Sequence, residues 1–391
     1  MTIYIIGDTS FLAKHFYQKI KHDTNNIYLV SRHSLHHLND VKSTDTIINF
    51  CGVNRGKTLD EYYDGNVLFI KKIVSSMGEC SPFFIHISSM MVHGFKNISQ
   101  NNLPDYQKWF IETRKEGEIY LLNNYNNNNL CIIRPSNICG YDCKPYYNNL
   151  VSTLVYEKIH NLSTINKINT NCVRNVLSVE KFTMALLGIT NNNTSGVFDI
   201  ISNNNIPLNK QISTIYIEDV PEFFDMQDGD VSEINMGTNI LCISENFTEM
   251  VKELEDNMKT YYKIKNTVKY NNLTQLSQPR GNMVEISNVT SRRLYKITLT
   301  EHAIRGNHYH FNQTEEFYNN KGIVTYLLGH SENKNVTFMH KSTENDLMEI
   351  PPNIIHTVIN DYKNNNPEIF ITSTQSFVKD EIPDTCYIVL V

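Results

Sequence analysis

The 391-residue sequence predicts a parallel, doubly wound α/β sheet followed by an all-β barrel or sandwich. Three observations carry that prediction. The chain is too long for one hydrophobic core and has room for two or three domains. Over roughly the first 190 residues, short β-branched runs alternate with helical stretches, the pattern of strands joined by crossover helices. After Asn271 the texture changes to strands separated by Gly, Pro and Asn turns, which places the domains at residues 1–270 and 271–391.

The first domain's strands are Ile3 to Ile6, Ile27 to Val30, Thr46 to Phe50, Phe83 to Ile87 and Leu130 to Ile133. Shorter mixed elements run from Ile200 to Leu241. Glu245 to Lys265 is a charged helical stretch whose Met250, Val251, Leu254 and Met258 fall near helical spacing, and it reads as a connector. Strands of the second domain are Leu294 to Leu299, Ile323 to Leu328, Asn335 to Met339, Ile369 to Thr372 and Tyr387 to Val391. Asparagine runs at 126–129, 191–193, 203–205 and 364–366 sit between apolar segments and read as loop padding.

Composition narrows the function. Hydrophobic residues make up 40% and charged residues 19%, with mean hydropathy −0.36, which is globular rather than disordered or membranous. Lys plus Arg number 35 against 41 Asp plus Glu, a net charge of −6, and no basic block exists to follow a phosphate backbone, so nucleic acid is not an expected partner. The eight cysteines (Cys51, Cys80, Cys131, Cys139, Cys143, Cys172, Cys242, Cys386) lack the paired spacing of a zinc ribbon and fit a reducing compartment. The N-terminus has no signal-peptide pattern, and no apolar run reaches the length of about 20 residues that spans a bilayer. A cytoplasmic location is expected.

The opening Ile3-Tyr4-Ile5-Ile6-Gly7-Asp8-Thr9-Ser10-Phe11-Leu12-Ala13 occupies the place of a strand, a glycine-rich turn and a helix N-terminus that receives a dinucleotide pyrophosphate. Only Gly7 of three glycines is kept. Ser10 stands where backbone and phosphate approach, and Ala13 where helix meets strand. A plain strand-to-helix turn is the competing reading. Arg32 follows the second strand, where an acidic residue would favour NAD. A cation there suits a 2′-phosphate and points to NADP, or else is an ordinary surface charge.

Asn49-Phe50-Cys51-Gly52-Val53-Asn54-Arg55, then Asp64-Gly65-Asn66-Val67, Ile87-Ser88-Ser89 and Arg134-Pro135-Ser136-Asn137-Ile138-Cys139-Gly140 come in a consistent order. Together they resemble the extended short-chain dehydrogenase/reductases that act on nucleotide sugars. Gly52-Val53-Asn54-Arg55 and Lys144-Pro145-Tyr146-Tyr147-Asn148-Asn149 look more particularly like the bacterial reductases of capsule and O-antigen synthesis. Those enzymes form UDP-2-acetamido-2,6-dideoxy-L-talose from a 4-keto sugar and carry a C-terminal cupin domain. The resemblance implies NADP(H) contacts at Gly7, Ser10, Phe11, Leu12, Arg32, Cys51, Gly52 and Pro135. It also implies a sugar-nucleotide pocket near Asn54, Arg55 and Asn137, a catalytic hydroxyl at Ser89 and a catalytic-site Asn66.

One departure bears on the chemistry. Such reductases use a Tyr-x-x-x-Lys pair, in which Lys lowers the Tyr pKa and holds the nicotinamide ribose. The matching helix reads Phe110-Ile111-Glu112-Thr113-Arg114. Phe110 has no proton to give, and Arg114 keeps a cation whose own pKa is too high for proton relay. Tyr106, one turn upstream, is a substitute donor only if the reacting oxygen lies within its reach. The reductase step is therefore open.

In the second half, Gly306-Asn307-His308-Tyr309-His310-Phe311-Asn312-Gln313-Thr314-Glu315 is closed by Gly322, and Ile350-Pro351-Pro352-Asn353-Ile354-Ile355-His356-Thr357-Val358-Ile359-Asn360 follows. Strand alternation turns His308 and His310 to one side, where Glu315 and His356 can join them. Three imidazoles and a carboxylate suit a first-row divalent metal, either structural or reactive. The two strings resemble the cupin motifs, with Asn353 in place of the usual Gly, a residue that also tolerates the left-handed conformation. By the same resemblance the second domain is a jelly-roll cupin, the metal is zinc, the string from Pro279 to Glu285 and Arg305 match that cupin, with Arg280 and Arg305 as cations that hold a diphosphate or else pair on the surface, and the chain is a homodimer. Tyr309 and Tyr326 are candidates for a base by location. The activity implied is C3 epimerisation of a UDP-2-acetamido-2,6-dideoxy-4-hexulose in the cupin and NADPH-dependent C4 reduction in the first domain. Two alternatives stand beside it: an epimerase with a degenerate reductase domain, and a non-catalytic protein that binds nucleotide sugar or NADP.

Overall fold

The first strand, β1 (Ile3–Ile6), is buried at every position, as a strand covered on both faces must be. The same holds for β3 (Thr46–Asn49) and β4 (Phe83–Ile87), while β2 (Ile27–Val30) and β5 (Leu130–Pro135) are buried at all but one position. The structure is a computed structural model that describes residues 1–21, 23, 24, 26–94, 102–147, 149–162, 173–203, 205–207, 211, 214, 215, 239–272, 276–278, 281–283, 293–373, 385–388 and 390. Pro279, Arg280 and Cys172 lie outside them. The chain forms two compact units, Met1–Lys21 with Leu29–Met258, and His22–Tyr28 with Lys259–Val391.

The first unit is built on a seven-stranded sheet. The further strands of this unit are β6 (Asn137–Cys139), β7 (Val173–Ser178), β8 (Gly196–Ser202), β9 (Asn205–Pro207) and β10 (Ile240–Ile243), and with β8 and β10 the sheet's order is β10-β8-β5-β4-β3-β1-β2. Strands β1, β3, β4, β5, β8 and β10 run parallel. The order reverses between β1 and β3, and the carboxyl ends of strands at such a switch point are where a Rossmann-type sheet takes its ligand. Strands β6, β7 and β9 form a separate small sheet.

The helices are α1 (Phe11–Ile20), α2 (Leu59–Tyr63), α3 (Phe69–Ser76), α4 (Asp105–Asn124), α5 (Leu150–Ile159), α6 (Val179–Asn192) and α7 (Phe247–Thr267). Ser10, Thr58, Asn149 and Ser178 cap α1, α2, α5 and α6 with a side-chain oxygen. Met250, Val251, Leu254 and Met258, the apolar face expected of the connector, are all buried on α7. No described helix is long and apolar enough to cross a membrane.

The second unit is antiparallel throughout its two five-stranded sheets. One has the order β11-β19-β16-β21-β14 and the other β18-β17-β20-β15-β22. These are β11 (Lys269–Asn272), β14 (Arg293–Thr298), β15 (Ile304–His310), β16 (Glu315–Lys321), β17 (Val324–His330), β18 (Asn333–Ser342), β19 (Asp346–Ile350), β20 (Ile354–Ile359), β21 (Glu368–Ser373) and β22 (Thr385–Tyr387), with a hairpin of β12 (Leu276–Gln278) and β13 (Gly281–Met283). The last described strand is Thr385–Tyr387, with Ile388 and Leu390 outside it, while Val389 and Val391 of the expected strand lie outside the described residues. The fold class expected from the sequence, a Rossmann-type sheet followed by an all-β barrel, is the one observed. Six of the eight described non-glycine residues with positive φ are asparagines, among them Asn193 at the end of α6 and Asn364 in a turn, so part of the asparagine padding supplies left-handed turns.

Helix α4 is tied to the sheet through charge. Glu118, 2% exposed, takes a forked pair from Arg134 on β5, with Nε at 3.1 Å from each oxygen, and the Ser88 hydroxyl at 2.5 Å. Arg134 also stands 3.8 Å from Asp199 on β8, whose carboxylate holds His93 at 2.9 Å. Removing one partner of such a pair strands the other in a low-dielectric interior. Glu118→Ala is therefore expected to cost about 3 kcal/mol, read as an earlier urea transition of the first unit, and Glu118→Gln less. An unchanged midpoint would show that water replaces the pair without loss.

Candidate metal centre and dinucleotide cleft

A bulge decides where the histidines of the second unit point. Gly306 and Asn307 both have positive φ, at 103° and 58°, and the register of β15 against β20 shifts between Gly306 and His308. A bulge re-aims the strand that carries it. The Asn307 Oδ1 accepts a hydrogen bond from Thr357 at 2.7 Å, which pins the bulge to β20. Beyond it His308 pairs directly with His356. The rings of His308 and His310 lie 5.0 Å apart, and those of His308 and His356 4.5 Å.

Glu315 on β16 completes the group from the facing sheet. Its Oε2 is 3.1 Å from His356 Nε2 and 3.4 Å from His310 Nε2. One donor atom from each of the four residues lies within 4.8 Å of the others. Burial raises the Glu315 carboxyl, but the hydrogen bonds and charges of His310 and His356 outweigh it and hold the group ionised. Burial, then His356 and His310, push His308 down to about 4, so its ring stays neutral. His356 Nδ1 lies 3.1 Å from the Ile354 carbonyl, which orients Nε2 toward the centre. His308 Nδ1 is buried without a hydrogen-bond partner, and His356 Nε2 faces the Glu315 carboxylate. A buried nitrogen without a partner, an ionised carboxylate and a neutral imidazole fit a divalent cation. Asn353 takes φ 64° at the turn into β20, the conformation expected for the residue standing in the glycine place.

Strand alternation separates the tyrosines expected as bases. Tyr309 lies between His308 and His310 and faces away from them, its ring 5.1 Å from that of Phe311. Tyr326 is wholly buried, its ring 5.7 Å from that of Phe317, which in turn packs 5.5 Å from His356. Its hydroxyl has no partner, and burial pushes its pKa far up. Arg305 is exposed on β15.

In the first unit the sequence-predicted residues gather at the carboxyl ends of β1, β3 and β4. Gly7 has φ 94°, and a side chain there would meet Cys51 Sγ at 2.9 Å. This bare backbone fits the close approach of a pyrophosphate at the start of α1. Ser10 spends its hydroxyl on the cap, accepting from Ala13 N at 3.2 Å. Phe11 packs against His15, and Leu12 is half-buried beside it on α1. Arg32 is exposed over the Phe69 ring at 4.9 Å. Burial pushes the Cys51 thiol up to about 12, against the nearby Arg32.

Arg114 crosses this edge. Its Nη1 donates to the Ile87 carbonyl at 3.2 Å and its Nη2 to Asn54 Oδ1 at 2.9 Å, so one guanidinium joins the ends of β3 and β4. Gly52 leaves it room, since a side chain there would overlap the guanidinium. Burial lowers Arg114 to about 10, with Glu118 pulling the other way. Phe110 lies under it, the guanidinium carbon 5.4 Å from the ring, and packs with Tyr62, Leu103 and Ile111. Tyr106 is 53% exposed near the start of α4. Asn66 is buried, bonded to both polar atoms of Val53 and to Thr113, so it shapes the loop after β3. Ser89 is half-buried and caps the turn Met90–His93. Arg55 stacks on Tyr147 at 5.5 Å, Asn137 bonds the Asn175 carbonyl, and Pro135 is buried where β5 ends.

Residues 276–386 match the family model of the polysaccharide biosynthesis C-terminal domain. No curated protein matches the sequence. Among solved structures, the capsular polysaccharide assembling protein CapF from Staphylococcus aureus is 17% identical over 99% of both chains, with a TM-score of 0.42. A dTDP-4-dehydrorhamnose reductase from Clostridium acetobutylicum is 14% identical over 66% of this chain and all of its own, with a TM-score of 0.48. A point mutant of UDP-glucuronic acid 4-epimerase from Bacillus cereus, in complex with UDP-4-deoxy-4-fluoro-glucuronic acid and NAD, is 14% identical over 66% of this chain and 99% of its own, with a TM-score of 0.50. The last of these shares the fold of the first unit.

Two features of the sites escape sequence reasoning. Tyr387 on β22 lies opposite His308, with ring centres 5.5 Å apart. His86 on β4 is the other. Asn49 Oδ1 accepts from Cys51 N, so its Nδ2 faces His86 Nδ1 and donates to it at 3.1 Å. The ring proton of His86 therefore sits on Nε2. A lone histidine in an apolar strand gives no signal of such a partner.

The metal reading predicts that His308→Ala and His356→Ala each abolish stoichiometric zinc uptake, measured by equilibrium dialysis and elemental analysis. Retention by both would remove the centre. Burial, then Arg114, push His86 down to about 3. Below its ordinary 6.5 the unfolded chain takes up a proton that the folded chain refuses, so stability falls as pH drops from 6.5 toward about 3. The slope is at most about 1.4 kcal/mol per pH unit, and His86→Leu should flatten it in urea titrations across that window.

Proposed function

We propose that the chain is a nucleotide-sugar enzyme of polysaccharide synthesis whose second unit epimerises C3 of a UDP-2-acetamido-2,6-dideoxy-4-hexulose. The observation that carries this reading is the convergence of His308, His310, Glu315 and His356 inside the barrel. A divalent cation held there, zinc by resemblance, would polarise the 4-keto oxygen and favour the charge that develops on it as the C3 proton leaves. Glu315 keeps His310 and His356 turned inward, and the barrel wall limits water around the reacting carbon. Return of a proton to the opposite face inverts C3.

The first unit holds NADP(H) and the sugar nucleotide in this reading. Gly7 and the N-terminus of α1 receive the pyrophosphate, Arg32 the 2′-phosphate, and Arg114 lies where the ribose is held. A second reading adds hydride reduction at C4, favoured by the open turn at Gly7 and the cation kept at Arg114. Phe110 argues against a fast step. A positioned general acid contributes about 10²–10⁴-fold, and Phe110 offers none.

The test incubates the zinc-loaded chain with the 4-keto sugar nucleotide and NADPH in deuterium oxide, following C3 deuteration and the absorbance of reduced nicotinamide together. C3 deuteration that disappears in His356→Ala is expected, with NADPH oxidation slower by at least about 100-fold and raised by Phe110→Tyr. Absence of deuteration with zinc bound and substrate intact would leave a binding protein in place of an enzyme.

A further inference from the structure

Tyr387 carries the furthest step. It is the most exposed large hydrophobic side chain among the described residues, at 77%, and its ring is open to a ligand. Its neighbours define where it points. In the antiparallel pairing of β15 with β22, Tyr387 is the direct partner of His308, and directly paired residues project to the same face. Their rings meet edge to face, at 5.5 Å and 64°. His308 faces the four-residue centre, so Tyr387 stands on that side of the sheet, at its solvent end. Tyr309 faces away and Tyr326 is sealed behind Phe317, so Tyr387 is the described tyrosine that both touches a residue of the centre and reaches water.

We propose that Tyr387 is a substrate-positioning residue whose ring stacks on the apolar C–H face of the hexose while its carbonyl group is presented to the four-residue centre. This rests on the epimerase reading and deepens it. Geometry selects the sugar over the base. The ring abuts His308, so a ligand whose ketone sits among the four donors brings its own hexose ring against Tyr387, whereas the uracil is held away by the diphosphate.

The experiment compares wild type, Tyr387→Ala and Tyr387→Phe, all zinc-loaded, in C3 deuteration of UDP-2-acetamido-2,6-dideoxy-4-hexulose and in saturation-transfer NMR with irradiation of the protein's aromatic protons. Zinc content serves as the check on folding. Tyr387→Ala is expected to raise KM about tenfold with kcat within about twofold, and to lose transfer to the hexose protons. Tyr387→Phe should match wild type in both. An unchanged KM and unchanged transfer in Tyr387→Ala would overturn this inference alone, as would a Tyr387→Phe variant as impaired as Tyr387→Ala, because the hydroxyl would then be the working group. Failure of the wild type to bind or exchange the sugar would overturn the epimerase reading and this inference together.

Discussion

The contact of Glu315 with His310 and His356 is what makes the interior of the second unit tolerable. A carboxylate and three imidazoles inside a barrel are costly unless each meets a partner. Glu315 comes from one sheet and the histidines from the other, so the contact also joins the two sheets across the core. Other features of this unit serve that junction. The Gly306-Asn307 bulge turns His308 and His310 inward, Asn353 makes the left-handed turn that starts β20, and the Ile354 carbonyl fixes the ring of His356. The lowered His308 pKa is a consequence, since a ring crowded by two others in a dry site resists a charge.

In the first unit a single guanidinium has the corresponding place. Arg114 bridges the Ile87 carbonyl and Asn54 and fills the space that Gly52 leaves open. A lysine ammonium would have to serve both acceptors from one nitrogen, whereas the planar fork sends two separate nitrogens to them in fixed directions. The bridge explains how the edge stays ordered with Phe110 beneath it: the ring offers its face to the cation in place of a hydroxyl. His86 stays neutral beside Arg114 because burial and the neighbouring cation both oppose a charge on its ring.

Much of this is legible in the sequence because it rests on periodicity. Strand runs such as Ile3 to Ile6, and Phe83 to Ile87 with His86 alone breaking it, are buried on both faces and read as apolar segments. The His-x-His spacing is legible for the same reason, since a period of two fixes which side chains share a face. The same period sets Tyr309 apart from the two histidines, against its expected place as a base. What is illegible depends on pairings distant in sequence. Tyr387 meets His308 only because β22 returns to β15, and Asn66 holds Val53 only because the helical turn after α2 packs under the loop that follows β3. Glu118 carries a faint signal, one turn after Arg114 on the same helix, yet its partner Arg134 belongs to a different strand.

The two sites also differ in how much sequence change they can absorb. A metal centre would need a donor set and little else, and Asn353 leaves the four-residue cluster whole because asparagine reaches the left-handed φ that glycine would take. A hydride-transfer site needs a matched acid, whose hydroxyl must lie within hydrogen-bond reach and whose pKa must be tuned by a neighbour. Phe110 and Arg114, standing where the resemblance expects such a pair, offer no such acid, while the surface around them does not depend on one. Gly7 and the capped start of α1 are independent of the pair, for they use backbone N–H groups and the helix dipole. On the proposed reading, binding of a dinucleotide and transfer of its hydride would therefore be separable, and the residues at 110 and 114 would bear on the second far more than on the first.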